Sequence, residues 1–215
     1  MTDDLVTLIL GHHALGLEES NKRGQALNAG FTYLRGLVED RLATPRDDLI
    51  SMMAHSEADG THLSVSEVAV NALNLLAAGW ETTSDALASI VATLLEHPQH
   101  WTAVARGEAD VQAMASEALR YDGTSIGVMR TASADATIRG VRIKKGERLM
   151  LCFASGNQDS TKFEDPEQFM IERKHASPHL TFGHGIHNCV GAALAKLELV
   201  LMLESLARVA STGVV

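Results

Sequence analysis

The chain has 215 residues, is 46% apolar and carries a formal charge of -9, which allows one substantial core and argues against nucleic acid as a ligand, since an acidic surface repels phosphates. No uninterrupted apolar run reaches the length of a membrane span, and the acidic start Met1-Thr2-Asp3-Asp4 lacks the basic region of a secretory signal. The cysteines, Cys152 and Cys189, imply no disulfide framework, so the expectation is a cytoplasmic protein.

Residues 20–43 carry Leu27, Phe31, Leu34, Leu37, Val38 and Leu42 at helical spacing and stop before Pro45. A short helix is expected over residues 48–55, then a loop over 57–62 around Gly60. Ser64 and Glu67 have capping-box spacing, and the helical pattern they start runs to His97, where Pro98 ends it. At 1.5 Å per residue that is roughly 50 Å, enough to cross a whole domain. Two helices follow over 98–106 and 108–121, separated by Gly107. Residues 136–143 and 147–152 alternate and predict a hairpin joined by Lys144-Lys145-Gly146. Residues 157–178 read as irregular, anchored by Phe163, Pro166 and Phe169, and residues 191–208 as a helix apolar on most faces and therefore buried.

The long helix has an unusual centre. Gly79 lies in its interior, where glycine costs about 1 kcal/mol relative to alanine, and Glu81-Thr82-Thr83-Ser84-Asp85 put polar groups on every face of one level. A weak point and a polar girdle in mid-helix conflict with stability and mark a place where a site is being built. Glu117 and Arg120, three apart, share a helix face and can pair. Cys189 sits in Phe182-Gly183-His184-Gly185-Ile186-His187-Asn188-Cys189-Val190-Gly191, directly before a helix. Its glycines permit tight turns and close approach to a flat ligand, and the helix aims its positive end and free N–H groups at the sulfur. Thiolate is the form that ligates metals, so Cys189 is a candidate iron ligand rather than a buried structural thiol. Zinc held by His175, His179, His184, His187 and Cys189 is disfavoured, because these spacings fit no common zinc pattern.

The cysteine segment resembles the haem-binding signature of the cytochrome P-450 family, Phe-x-x-Gly-x-x-x-Cys-x-Gly, with Phe182, Gly185, Cys189 and Gly191 at the matching places and Ala195 as the small residue that follows. Ala78-Gly79-Trp80-Glu81-Thr82-Thr83 resembles the oxygen-activating motif of the family's central helix, and Glu117-Ala118-Leu119-Arg120 its Glu-x-x-Arg. The resemblance covers essentially the whole chain but only the C-terminal half of the family fold, a mainly α architecture with small β-sheets; the N-terminal half and the final strands of that fold are expected to be absent. It implies one partial domain over residues 1–215 and a haem-thiolate monooxygenase of the soluble bacterial type.

The same resemblance implies a set of roles. Haem b, iron protoporphyrin IX, would be ligated by Cys189 and contacted by Ala78, Gly79, Phe182, Gly183, Gly191 and Ala195, with Arg130 and His187 on its propionates. Thr82 would donate a hydrogen bond to dioxygen, the co-substrate, while Glu81 relays protons. Ile126 and Val128, within residues 122–129, would line the pocket of a small apolar organic substrate. Glu117, Arg120 and Arg173 would brace the cysteine loop structurally. Electrons would come from NAD(P)H through a ferredoxin-type or flavin partner, and a missing N-terminal half is a further expected partner; neither nucleic acid nor membrane is implied. Lys196 stands where the family often has arginine, and Cys152 is expected in the core. The rival expectation is a truncated, non-catalytic or poorly folding haem-binding fragment.

Overall fold

A computed structural model describes residues 17–173 and 179–211, which fall into two compact units divided between Glu81 and Thr82. In the first unit, α1 (Leu17–Ala43) and α2 (Leu49–His55) pack together. Leu34 and Val38, one turn apart on α1, meet Ala54 and the Val68, Ala69 and Ala72 face of α3 (Val65–Glu96), forming a small apolar core. Asp48 caps α2: its Oδ1 accepts the Ser51 N–H at 2.8 Å and its Oδ2 accepts from Arg41 Nε at 2.5 Å. These two donors, Arg41 first, hold the Asp48 carboxyl at about 2. The expected loop over 57–62 is instead a hairpin of β1 (Glu57–Ala58) and β2 (Thr61–His62). Asp59 and Gly60 both take positive φ, 52° and 74°, the pairing that a two-residue hairpin turn requires. The capping box forms: Ser64 N–H donates to Glu67 Oε2 at 2.7 Å, and Glu67 N–H to Ser64 Oγ at 3.3 Å.

The second unit holds the rest of α3, α4 (Pro98–Ala105), α5 (Val111–Tyr121) and α7 (Ala192–Ser211). Helix α7 packs against both α4 and α5. Ile90, Leu94, Met114, Ala118, Leu199 and Leu203 are the buried centre of this core, closed by Phe169 and Ile171 from the irregular stretch. Helix α5 begins later than the expected residue 108. Gly107, at φ 69°, closes α4: Glu108 N–H reaches back to Ala103 O at 2.8 Å and Gly107 N–H to Val104 O at 2.9 Å. Glu108 is therefore spent ending one helix, and Asp110 caps the next, accepting from Gln112 and Ala113 N–H.

The expected strand pairing is also corrected. Residues 136–143 fold on themselves, β4 (Ala136–Ile138) against β5 (Val141–Ile143), because Arg139 and Gly140 turn at φ 47° and 84°. Strand β6 (Arg148–Cys152) pairs antiparallel with β3 (Gly127–Thr131), a segment with no expected strand, in the register Gly127↔Cys152 to Thr131↔Arg148. A Cβ on Gly127 would lie 2.2 Å from Leu151 O, so these strands close only on a glycine. Helix α6 (Phe153–Asn157) follows at once. Cys152, paired with Gly127 at the end of β6, is exposed rather than core. Helix α7 is not buried on most faces: Leu199 and Leu203 are covered, one turn apart, while Leu194, Leu197 and Leu201 are more than half exposed. No helix among the described residues is long and apolar enough to cross a membrane.

Candidate functional site

The loop before α7 is built by glycines and backbone hydrogen bonds. Gly183 and Gly185 sit at φ 73° and 71°, in the left-handed region where an L side chain is strained. Gly183 N–H donates to Leu180 O at 2.8 Å, Asn188 N–H to Gly185 O at 3.0 Å and Cys189 N–H to Phe182 O at 2.8 Å. A short 3-10 helix at Gly185–His187 completes the turn. Ala192 N–H then donates to Cys189 O at 3.3 Å, so the cysteine stands at the N-terminal end of α7. The thiol is exposed, and a Cβ on Gly191 would come 3.8 Å from its sulfur. Ile186 is 97% and Val190 85% exposed, so the sulfur is flanked by apolar side chains facing outward. An open thiol between glycines and uncovered apolar groups fits a flat apolar ligand attached through sulfur, which is what a haem held by one axial thiolate presents. Among the described residues no three His, Cys, Asp or Glu side chains cluster as a metal site; His175 lies outside those residues.

Ala78, Gly79, Glu81 and Thr82 occupy consecutive turns of the unbroken α3. A Cβ on Gly79 would meet nothing within 4 Å, so open space lies beside it. Ala78 and Thr82 are exposed. Glu81 is half-buried, and its Oε2 is buried without a hydrogen-bond partner. An unsatisfied buried carboxylate oxygen is costly and uncommon.

Glu117, Arg120 and Arg173 come together in the second unit. Glu117 Oε1 accepts from Arg120 Nη2 at 2.8 Å, Met170 N–H at 3.0 Å and Arg173 Nε at 3.0 Å. Its Oε2 accepts from Arg120 Nε at 2.9 Å. The Glu117 and Arg120 side chains are 0% exposed and that of Arg173 is 4%. Sequence spacing did not announce what the arginines do next. Arg120 Nη1 donates to Asn157 O at 2.9 Å and Pro166 O at 2.8 Å, and Nη2 to Gln168 O at 3.1 Å. Arg173 donates to the carbonyls of Glu164, Asp165 and Gln168. The irregular stretch, with few ladders of its own, is tied down by two guanidinium forks.

Arg130 is exposed on β3 and donates to Met129 O at 2.9 Å; His187 is exposed in the cysteine loop. Ile126 is exposed, and Val128 is half-buried. Phe182 is half-buried with Lys196 Nζ 5.3 Å from its ring centre, so the lysine at that position acts as a cation over an aromatic face. Ala195, like Gly183 and Gly191, is half-buried. Two residues at the root of the loop have settings that sequence reasoning missed, since it named His179 only as a disfavoured zinc ligand. One is Asn157, 2% exposed. The other is His179, 5.7 Å from the Phe182 ring, whose Nδ1 is buried without a partner.

Residues 8–107 and 111–208 match the family profile described as cytochrome P-450. Cyclomarin C epoxidase CymV of Salinispora arenicola is 41% identical over 189 residues, covering 85% of this chain and 47% of that protein. A steroid C26-monooxygenase of Mycobacterium tuberculosis is 35% identical over 207 residues, covering 96% of this chain and 55% of that protein. The solved structure of cytochrome P-450 CREJ matches with a TM-score of 0.89 at 34% identity, covering 96% of this chain and 52% of that one. The chain thus spans about half the length of the curated relatives it matches.

Proposed function

The chain belongs to the cytochrome P-450 family, and from that premise we propose that it carries the haem-thiolate half of a monooxygenase acting on a small apolar organic substrate. When bound, haem supplies the activation of dioxygen, so that one oxygen atom enters the substrate and the other leaves as water at the expense of two electrons and two protons. Cys189 would hold the haem iron through its sulfur in this reading, and the observation that carries it is the open thiol on the glycine-built turn ahead of α7. That sulfur belongs to the residue whose carbonyl accepts the Ala192 N–H at the start of α7. Ile186 and Val190 would offer apolar surface to the ring, and Arg130 and His187 would hold its propionates.

Gly79 would leave room for oxygen and substrate, with Ala78 beside it. Thr82 donates a hydrogen bond from Oγ1, and Glu81 passes protons inward through Oε2, whose buried and unpartnered state suits a transient proton carrier. Ile126 and Val128 line the substrate side. Glu117, Arg120 and Arg173 act structurally, behind the chemistry. Electrons arrive from NAD(P)H through a ferredoxin-type or flavin partner, and the setting is cytoplasmic. An N-terminal half, in cis or as a partner, completes the pocket.

A second reading is a non-catalytic haem-binding fragment; the half-length coverage of the relatives favours it. Purified chain is loaded with haem, reduced and exposed to carbon monoxide. A strongly red-shifted Soret band that Cys189→Ala abolishes supports thiolate ligation, and oxidation of an apolar substrate with a redox partner then separates the two readings. An unshifted band in the parent chain sinks the first.

A further inference from the structure

Behind the cysteine loop lies a polar contact that the roles above leave unused. Asn157, the last residue of α6, is almost fully buried. Its Oδ1 accepts the Leu180 N–H at 2.6 Å, and its Nδ2 donates to Thr181 Oγ1 at 3.0 Å. A backbone N–H can only donate, so the oxygen must face Leu180, which fixes the amide's orientation. The Thr181 hydroxyl in turn donates to Leu119 O at 2.6 Å. Its hydrogen and a lone pair are thereby both used. Asn157's own carbonyl accepts from Arg120 Nη1 at 2.9 Å. One buried amide therefore ties the end of α5, the end of α6 and the two residues that open the loop.

The approach is close enough to dictate neighbouring residues. A Cβ on Gly123 would lie 2.6 Å from Leu119 O and 2.9 Å from Thr181, against backbone and hydroxyl that cannot yield cheaply. Leu180 and Thr181 lead directly into Phe182, whose carbonyl accepts the Cys189 N–H at 2.8 Å. From the Asn157 side-chain amide the path enters the backbone at Leu180 and, through its hydroxyl, at Thr181, and reaches the cysteine across one hydrogen bond, Cys189 N–H to Phe182 O.

We propose that Asn157, acting through Thr181, is a positioning residue for Cys189: it sets the height and orientation at which the sulfur is presented. The proposal rests on Cys189 being the haem ligand, but its first test does not. Unlike the Glu117 cluster, which binds the irregular stretch 164–173, this contact grips the loop's own entry segment, Leu180 and Thr181. Losing it leaves the Leu180 N–H unpaired and takes away the hydrogen bond that the Thr181 hydroxyl accepts, leaving that hydroxyl held only by Leu119 O, so the loop opens locally before the helices do.

Amide hydrogen exchange is measured on the full chain without haem for the parent, Asn157→Ala, Thr181→Val and Thr181→Ser. Protection at the Cys189 amide falls by about tenfold more than at Leu203 in the first two variants, while Thr181→Ser keeps the parent pattern. Equal loss at both amides, or none, overturns the proposal. Should Asn157→Ala not fold, Thr181→Val decides alone, since it keeps the Asn157–Leu180 bond. The same variants are then loaded with haem, reduced and exposed to carbon monoxide, with Ser64→Ala as a destabilised control in the other unit. A growing share of unshifted Soret band in Asn157→Ala and Thr181→Val, absent from Ser64→Ala and restored by Thr181→Ser, supports the assignment. Selective exchange with an unchanged band would show that the amide holds the loop without placing the sulfur, which also overturns it. A parent chain with no red-shifted band refutes the haem-thiolate reading instead, and leaves the exchange result standing by itself.

Discussion

Removing the Glu117 carboxylate is the most decisive perturbation of the second unit. Glu117→Ala strips the counter-charge from two guanidiniums whose side chains are 0% and 4% exposed. Breaking a buried pair from one side costs about 3–5 kcal/mol. Met170 N–H, which donates to Oε1 at 3.0 Å, loses its partner and adds about 1–3 kcal/mol. Arg120 keeps its bonds to the Asn157, Pro166 and Gln168 carbonyls, so the lower part of the range applies and the sum is on the order of 5 kcal/mol. That is comparable to the whole stability of a small domain, about 5–15 kcal/mol. The exposed pair Arg35–Glu39, at 3.5 Å, is the contrast: Glu39→Ala costs less than about 0.5 kcal/mol. Both are measured by urea unfolding in a Trp80→Phe background, where Trp101, packed against the second core, is the one remaining tryptophan reporter. A Glu117→Ala transition within about 1 kcal/mol of the parent would refute the account of this cluster as the brace of residues 164–173.

Three further outcomes follow from single sites. Gly79→Ala raises haem-free stability by about 0.5–1 kcal/mol, because a helix interior gains an alanine and the added Cβ meets nothing within 4 Å; a thermal melt that moves downward contradicts this, and impaired haem or substrate binding despite the gain supports the pocket reading. His179 is held down at about 4 from its usual 6.5, first by burial and then by the charges of Lys196 and Arg120. The unfolded chain takes up that proton below 6.5 and the folded chain does not until about 4, so unfolding free energy falls across this window by up to about 3 kcal/mol. His179→Phe removes that slope, and an unchanged pH profile refutes the assignment. Thr82→Ala diverts electrons into peroxide in the loaded, partnered enzyme; coupling equal to the parent's removes the proton-delivery role.

What the sequence made legible was local or motif-borne. The Ser64–Glu67 cap, the stop at Pro98 and the glycine-flanked cysteine each depend on residues within one or two turns of each other, and the structure has them at 2.7 Å and 3.3 Å in the cap and at φ 73° and 71° in the loop. Strand partnership was not legible. Alternation over 136–143 is the same whether the segment runs straight or turns at Arg139-Gly140, and nothing periodic says that 148–152 pairs with 127–131. The exposed faces of α7 were misread for a related reason: an apolar composition reports what a helix is able to bury, and only the neighbours present decide what it does bury. Glu117 and Arg120 were visible as a pair, but the Arg120 bonds to carbonyls 37 to 48 positions away had no sequence signature.

The two buried polar assemblies explain how two irregular segments, residues 164–173 and the entry to the cysteine loop, are fixed in place. A stretch without ladders must find other partners for its backbone groups, and here charged donors supply them from one side while a neutral amide supplies them from the other. The guanidiniums suit carbonyls because they can only donate; the entry segment needs its Leu180 N–H accepted, and an amide oxygen does so without burying another charge beside Glu117. Arg120 joins the two assemblies by binding the Asn157 carbonyl at 2.9 Å. Substituting aspartate at 157 would preserve the acceptor for Leu180 N–H and still fail, because it puts a second carboxylate into a buried cluster and removes the donor that Thr181 requires.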